Sequence, residues 1–263
     1  MLISHESPLC LLEESLNYND YDYALVHLFK DNPEYYKFFK DSIARGREVI
    51  LDNSIFELKT AFNPVEFAKW VGMLQPTYYI VPDALEDCVK TMQQFRDFYS
   101  NYNDLPGMRI GVVQGKTYQE LKDCYMFMAE LADYIAISFD YSYYEETGTG
   151  YTLQHQRADG RQRLIKNLID DKVWNFQKPV HLLGCSLPQE FCCDLYKDSG
   201  VVRSVDTSSP IMAGINRIRY SGKLGLNKKP IGLLADNLKI DLDSEQKQII
   251  NYNIEKFHKI ANE

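Results

Sequence analysis

No run of 18 apolar residues occurs in this chain, and its first residues, MLISHESPLCLLEE, hold no basic stretch leading into an apolar one. Neither a membrane span nor a secretory leader is expected, so the predicted location is the cytosol. CxxC pairs are lacking too, and the six cysteines (Cys10, Cys88, Cys124, Cys185, Cys192 and Cys193) have no His cluster nearby. Structural zinc is therefore not expected, whereas reduced, mostly buried thiols are. Positive charge is scarce: 29 Lys and Arg stand against 37 Asp and Glu, and the net charge of -8 argues against indiscriminate binding of nucleic acid. Internal repeats and low-complexity tracts are absent. What remains is an ordinary globular composition, 45% hydrophobic over 263 residues, long enough for one complete barrel and short for two domains. A single domain over residues 1–263 is expected.

Short apolar, β-branched runs alternate with helical patterns, the signature of βα units around a parallel sheet. The predicted strands are Tyr23 to Leu28, Glu48 to Asp52, Tyr78 to Val81, Arg109 to Gln114, Tyr134 to Ser138, Val180 to Gly184 and Arg203 to Asp206. The predicted helices are Pro33 to Arg45, Pro64 to Leu74, Leu85 to Tyr99, Tyr118 to Leu131, Arg161 to Asn175 and Pro188 to Lys197. Asn63-Pro64 sets an N-cap before a proline at the first helical position, and Ser186-Leu187-Pro188 does much the same. The fold class expected is α/β, a TIM-type (β/α)8 barrel with an irregular eighth unit, for which Ile218 to Lys223 and Pro230 to Leu234 are equal candidates. A helical stripe of Ile249, Ile250, Ile254, Phe257 and Ile260 predicts a C-terminal helix over Asp243 to Asn262, packed outside the barrel. Residues 139–159 read as a long irregular loop, a length typical of lids and binding loops.

The predicted strands end in small or polar residues: Asp52, Pro82-Asp83, Gln114-Gly115, Ser138, Gly184-Cys185 and Asp206-Thr207. Barrel enzymes keep their chemistry at the C-terminal ends of the strands. One strand-terminal Asp is more often a cap or turn former; several on successive strands are harder to explain so. Asp52 and Asp206 could serve as acid and nucleophile at a sugar carbon. Around Asp206 the charge reverses. Val201 to Ile240 carries seven basic and two acidic residues, a net +5 against -13 for the remainder. A solvated face and a phosphate-binding face are equally compatible with that run. Tyr141, Tyr143, Tyr144 and Tyr151 are candidates for stacking on exposed bases or for surface packing. His27, His155 and His181 are read as structural or solvent-exposed.

These segments carry a family resemblance over about residues 48–227. LDNSIFE resembles the Asp-Ser-Gly-Gly-Phe-Gln segment of the queuine and archaeosine tRNA-guanine transglycosylases, and VVQG (Val112 to Gly115) is similar to their Val-Gln-Gly motif. HLLGCS (His181 to Ser186) resembles their Leu-Met-Gly-Val-Gly segment, and SVDTSSP with RIRYSGKLGLN resembles the segment around their nucleophilic Asp. The resemblance implies that Asp206 attacks C1′ of a guanosine, expelling guanine and leaving a covalent glycosyl-enzyme, while Asp52 handles protons on the departing and arriving bases. It makes Phe56 a stacking face for the base, Asp83 and Gln114 readers of its hydrogen-bonding edge, and Leu183 and Gly184 part of the pocket floor, with Ser138 where the family contacts the base's substituent. No cofactor or metal is implied.

The departures are informative. The family's Gly-Gly is Ser54-Ile55 here, its Gln after the aromatic is Glu57, and its Gly-Gly at the fifth strand is Ser138-Phe139. Its CxCxxC zinc cluster with a later His, which grips tRNA, has no counterpart after Asp206. The combination resembles the phage enzymes that exchange guanine in DNA for a 7-deazaguanine, a modification that evades host restriction. DNA and a free 7-deazaguanine base are therefore the expected partners, in host cytoplasm if the gene is a phage's. Arg203, Arg217, Arg219 and Lys223 are the expected phosphate contacts, and the target base would have to leave its stack. The same reaction on tRNA, a catalytically silent nucleic-acid-binding subunit, and a barrel glycosidase are the alternatives.

Overall fold

The computed structural model describes residues 1–139, 141–197, 201–221, 226 and 230–262. It contains eight parallel strands: β1 (Leu2–His5), β2 (Asp22–Leu25), β3 (Val49–Asp52), β4 (Tyr78–Ile80), β5 (Met108–Val113), β6 (Tyr134–Ile137), β7 (Val180–Leu182) and β8 (Ser204–Thr207). Their order in the sheet is β1-β8-β7-β6-β5-β4-β3-β2. With helices alternating along the chain, this is the TIM-type (β/α)8 barrel that the sequence predicts. No helix among the described residues is long and apolar enough to cross a membrane.

The chain divides into two compact units. One comprises Tyr21–Ser138 and Lys178–His181. Within it β2 to β6 pair in sequence, with Leu25 opposite Asp52, Ile50 opposite Tyr78, Ile80 opposite Ile110 and Val113 opposite Ile137. Val49, Ile50 and Leu51, like Ile135, Ala136 and Ile137, are fully buried, which is why these strands read as continuous apolar runs rather than alternating ones. The helices between them start where the local chemistry dictates. Asn63 Oδ1 accepts from the amides of Val65 and Glu66 ahead of helix Pro64–Leu74, Asp87 caps helix Cys88–Asn101, and Thr117 forms a capping box with Glu120 at helix Tyr118–Leu131. His181 is buried against the rings of Tyr21, Tyr23 and Tyr134, a structural role.

The other unit comprises Met1–Asp20, Phe139–Gln177 and Leu182–Glu263. It supplies the eighth strand, and neither expected segment provides it. β1, at the N-terminus, pairs with β8, Leu2 opposite Ser204 and His5 opposite Thr207. Four residues that include a buried Ser4 and His5 carry too little apolar signal to be read as a strand. Pro230 to Leu234 is irregular, with a bend at Ile231 and Gly232; Ile218 and Arg219 are exposed, and residues 222 and 223 of the other candidate lie outside the described residues. The C-terminal helix, Ser244–Asn262, runs as predicted and packs Ile250 and Ile254 with Leu11, Ile211, Met212 and Leu234.

The expected loop over residues 139–159 is corrected. Ser142–Thr147 is helical, and helix Leu153–Asp170 begins eight residues before the predicted start at Arg161. Gly160 allows that helix close to Tyr144, whose Cα lies only 2.5 Å from where a β-carbon would sit. Tyr141, Tyr143 and Tyr144 are consequently buried, with Tyr141 stacked on Tyr144 at 5.4 Å, and of the four tyrosines only Tyr151 stands exposed to meet a base. Pro188 to Lys197 is a 3-10 helix (Pro188–Cys192) and a short α-helix (Asp194–Lys197) rather than one helix. Burial of the cysteines holds for Cys88, Cys124 and Cys185; Cys10 and Cys192 are exposed and Cys193 is half-buried, all six as free thiols.

Candidate functional site

In the unit of β2 to β6, three strand ends converge on one carboxylate. Asp83 follows β4 and is 2% exposed. Its Oδ1 accepts from Asn53 Nδ2 at 2.8 Å and its Oδ2 from Gln114 Nε2 at 2.5 Å. Both amides are themselves anchored. Asn53 donates to the carbonyl of Val81 and accepts from the amide of Ile55, while Gln114 Oε1 accepts from the amide of Glu86 at 2.7 Å. Neither amide can flip without breaking a second bond, so Asp83 is held in one orientation.

Burial pushes the Asp83 carboxyl up from its ordinary 3.8 to about 6, against the pull of the Asn53 and Gln114 hydrogen bonds toward the ionised form. Near neutral pH it is an anion with lone pairs to spare, able to accept from a ligand edge carrying two adjacent N–H groups. Asp52, at the end of β3, is half-buried. Ser54, two residues further on, takes the left-handed conformation (φ 59°, ψ 27°), a backbone state that favours glycine. Phe56 is half-buried with the Lys59 ammonium 3.9 Å from its ring centroid, a cation–π contact on one face. Ser138, just past β6, is half-buried.

The second unit builds its own polar cluster around β8. Asp206 is 4% exposed, and its Oδ1 accepts from the amide of Gly184 at 2.9 Å. Gly184 has φ +63°, which lets the chain after β7 turn back so that its N–H faces Asp206. The next carbonyl, of Cys185, accepts from Thr207 Oγ1 at 2.6 Å and Ser209 Oγ at 3.0 Å. Beneath the same turn lies Arg161, which with Glu190 forms a fully buried ion pair at 2.8 Å. Burial works against the Arg161 charge, but Glu190 outweighs it and holds the guanidinium protonated.

Of the residues the sequence points to for one site, the structure joins Asp83 with Gln114 in one hydrogen-bond network, and Asp206 with the Leu183–Gly184 peptide in another. Sequence reasoning missed Asn53, whose only signal is its place beside Asp52, and it missed Arg161 and Glu190, which no local pattern marks. Of the basic residues, Arg203 is half-buried just before β8. Arg217 is exposed but ion-paired with Asp243 and Glu245, and Arg219 lies over the Tyr252 ring at 3.8 Å. The C-terminal helix region therefore already engages both guanidiniums. Lys223, Lys228 and Lys229 lie outside the described residues. Among the described residues no group of three or more His, Cys, Asp and Glu side chains could hold a metal ion.

Fold and side chains together define a (β/α)8 barrel protein with buried, hydrogen-bonded carboxylates at the ends of its strands. Comparison of the chain with models of known families and with characterised proteins returns no match.

Proposed function

We propose that the protein is a base-exchange transglycosylase that replaces guanine in DNA with a 7-deazaguanine derivative. Asp206 attacks C1′, the C1′–N9 bond breaks, its electron pair leaves with the base, and Asp52 supplies the proton that neutralises the departing guanine. The incoming base then gives up its N9 proton to Asp52 and attacks C1′, releasing Asp206.

The observation that carries this is the clamped carboxylate of Asp83. Guanine and 7-deazaguanines share an edge of two adjacent donors, N1–H and N2–H, beside the acceptor O6. A buried carboxylate fixed by two amides suits the donors, and the second N–H of the Gln114 amide suits O6. A sugar ligand has no such edge, which favours a purine over a glycoside. The left-handed Ser54 standing where the resembled motif has glycine, and the amide of Gly184 on Asp206, agree with the same reading. DNA is favoured over tRNA because no CxCxxC set follows Asp206 in these 263 residues.

The test is to incubate the protein with radiolabelled guanine and either DNA or tRNA. Label should enter DNA, and Asp206→Asn should reduce incorporation about 10⁴-fold or more while leaving the fold intact. Label in tRNA alone would move the polymer assignment, and label in neither polymer would refute the activity.

A further inference from the structure

Arg161 and Glu190 have no part in the proposed chemistry so far, yet both side chains are completely buried. Replacing a buried ion pair with well-packed apolar residues is often neutral or stabilising, so stability alone is a weak reason for having one here. The guanidinium's donors show what it touches. Nε gives to Glu190 Oε1 and Nη2 to Oε2, each at 2.8 Å, a bidentate grip that fixes the plane of the group. Nη1 gives to the carbonyl of Leu183 and Nη2 to that of Gly184, each at 3.0 Å. The Phe139 ring lies 4.8 Å from the guanidinium carbon, and the Tyr196 hydroxyl donates to Glu190 Oε1 at 3.2 Å.

The carbonyl of Leu183 and the N–H of Gly184 belong to one planar trans peptide group, in which the two point in opposite directions. Fixing the carbonyl on Arg161 therefore aims the N–H the other way, and its acceptor is Asp206 Oδ1 at 2.9 Å. A lysine could not replace this. One ammonium cannot reach two carbonyls and both carboxylate oxygens in a single plane.

We infer that Arg161, oriented by Glu190, is a positioning residue for Asp206, holding the Leu183–Gly184 peptide so that its N–H keeps the carboxylate in one orientation for attack. The inference rests on the proposed role of Asp206 as nucleophile. It concerns the chemical step and leaves recognition of the free base to Asp83 and Gln114.

The experiment measures kcat and KM for incorporation of labelled guanine into DNA by wild type, Arg161→Lys and Glu190→Gln, with the fold of each checked by its near-UV spectrum. Misplaced reacting groups and lost preorganised donors cost about 10- to 100-fold in rate, so kcat should fall by that factor in Arg161→Lys while KM for the base stays within about threefold. Covalent protein–DNA adduct, resolved on a denaturing gel, should form correspondingly more slowly. If Arg161→Lys does not fold, Glu190→Gln, which keeps the shape of the pair, carries both readouts. A folded variant with kcat within about twofold of wild type, or with KM rising as much as kcat falls, overturns the inference. Wild-type protein that labels no polymer refutes the transglycosylase reading instead, so the two failures are distinguishable.

Discussion

Replacing Asp83 with Asn tests the electrostatics of the clamped carboxylate directly. The group is buried, and its folded-state pKa of about 6 lies above the ordinary 3.8. The folded protein therefore binds its proton more tightly than the unfolded chain does, and stability falls as pH rises through that window. The gap is worth about 3 kcal/mol once pH exceeds 6, and about half of that at pH 5. Asn carries no charge and escapes this cost at every pH. It does place an NH2 group against either the Asn53 or the Gln114 amide, losing one hydrogen bond worth about 1 kcal/mol at any pH. Asp83→Asn should thus be more stable than wild type by about 2 kcal/mol at pH 8, and its advantage should shrink by about 1.4 kcal/mol at pH 5. Urea unfolding of both proteins at the two pH values measures this, because every other titrating group cancels in the comparison. In thermal melts the same change amounts to about 3–6 °C. An advantage that is equal at both pH values, or larger at pH 5, would refute the assignment of a raised pKa to a charge buried at this site.

Three further outcomes are expected. Protonated Asp83 offers a donor where a base edge needs an acceptor, so calorimetric affinity for free guanine should be about tenfold weaker at pH 5 than at pH 7, and a flat profile would remove Asp83 from base recognition. Arg161→Met leaves Glu190 buried without its partner and should cost about 3–5 kcal/mol in urea unfolding, whereas replacing both residues with apolar ones should cost less. Gly160→Ala puts a β-carbon 2.5 Å from the Cα and carbonyl oxygen of Tyr144, backbone atoms with little room to yield. The clash should outweigh the gain in helix propensity and lower stability by about 2 kcal/mol, read as a lower Tm.

Much of the barrel was legible because a strand buried on both faces and a helix amphipathic over its length each leave a local imprint. Val49-Ile50-Leu51 shows the first, and helix Tyr118–Leu131, opened by Thr117 and Glu120, shows the second. The tyrosines of residues 139–159 misled because composition records that Tyr141 and Tyr144 are large and polar-tipped, but not that Gly160 leaves a helix close enough to cover them. Ser138 was legible as a strand-end residue and Phe56 only through the family resemblance, and the Lys59 ammonium over Phe56 is a side-chain placement that no spacing announces.

By itself the sequence determined the class of fold and the residues that follow its strands, since periodicity and strand ends are properties of neighbours along the chain. Tertiary structure decided which residues act together. Asp83 and Gln114 are 31 positions apart, Arg161 and Glu190 are 29 apart, and Gly184 and Asp206 are 22 apart. The eighth strand came from the N-terminus for the same reason. β1 gains its hydrogen bonds from β8 at the far end of the chain, and a pairing between distant segments is an energy that no local window of residues contains.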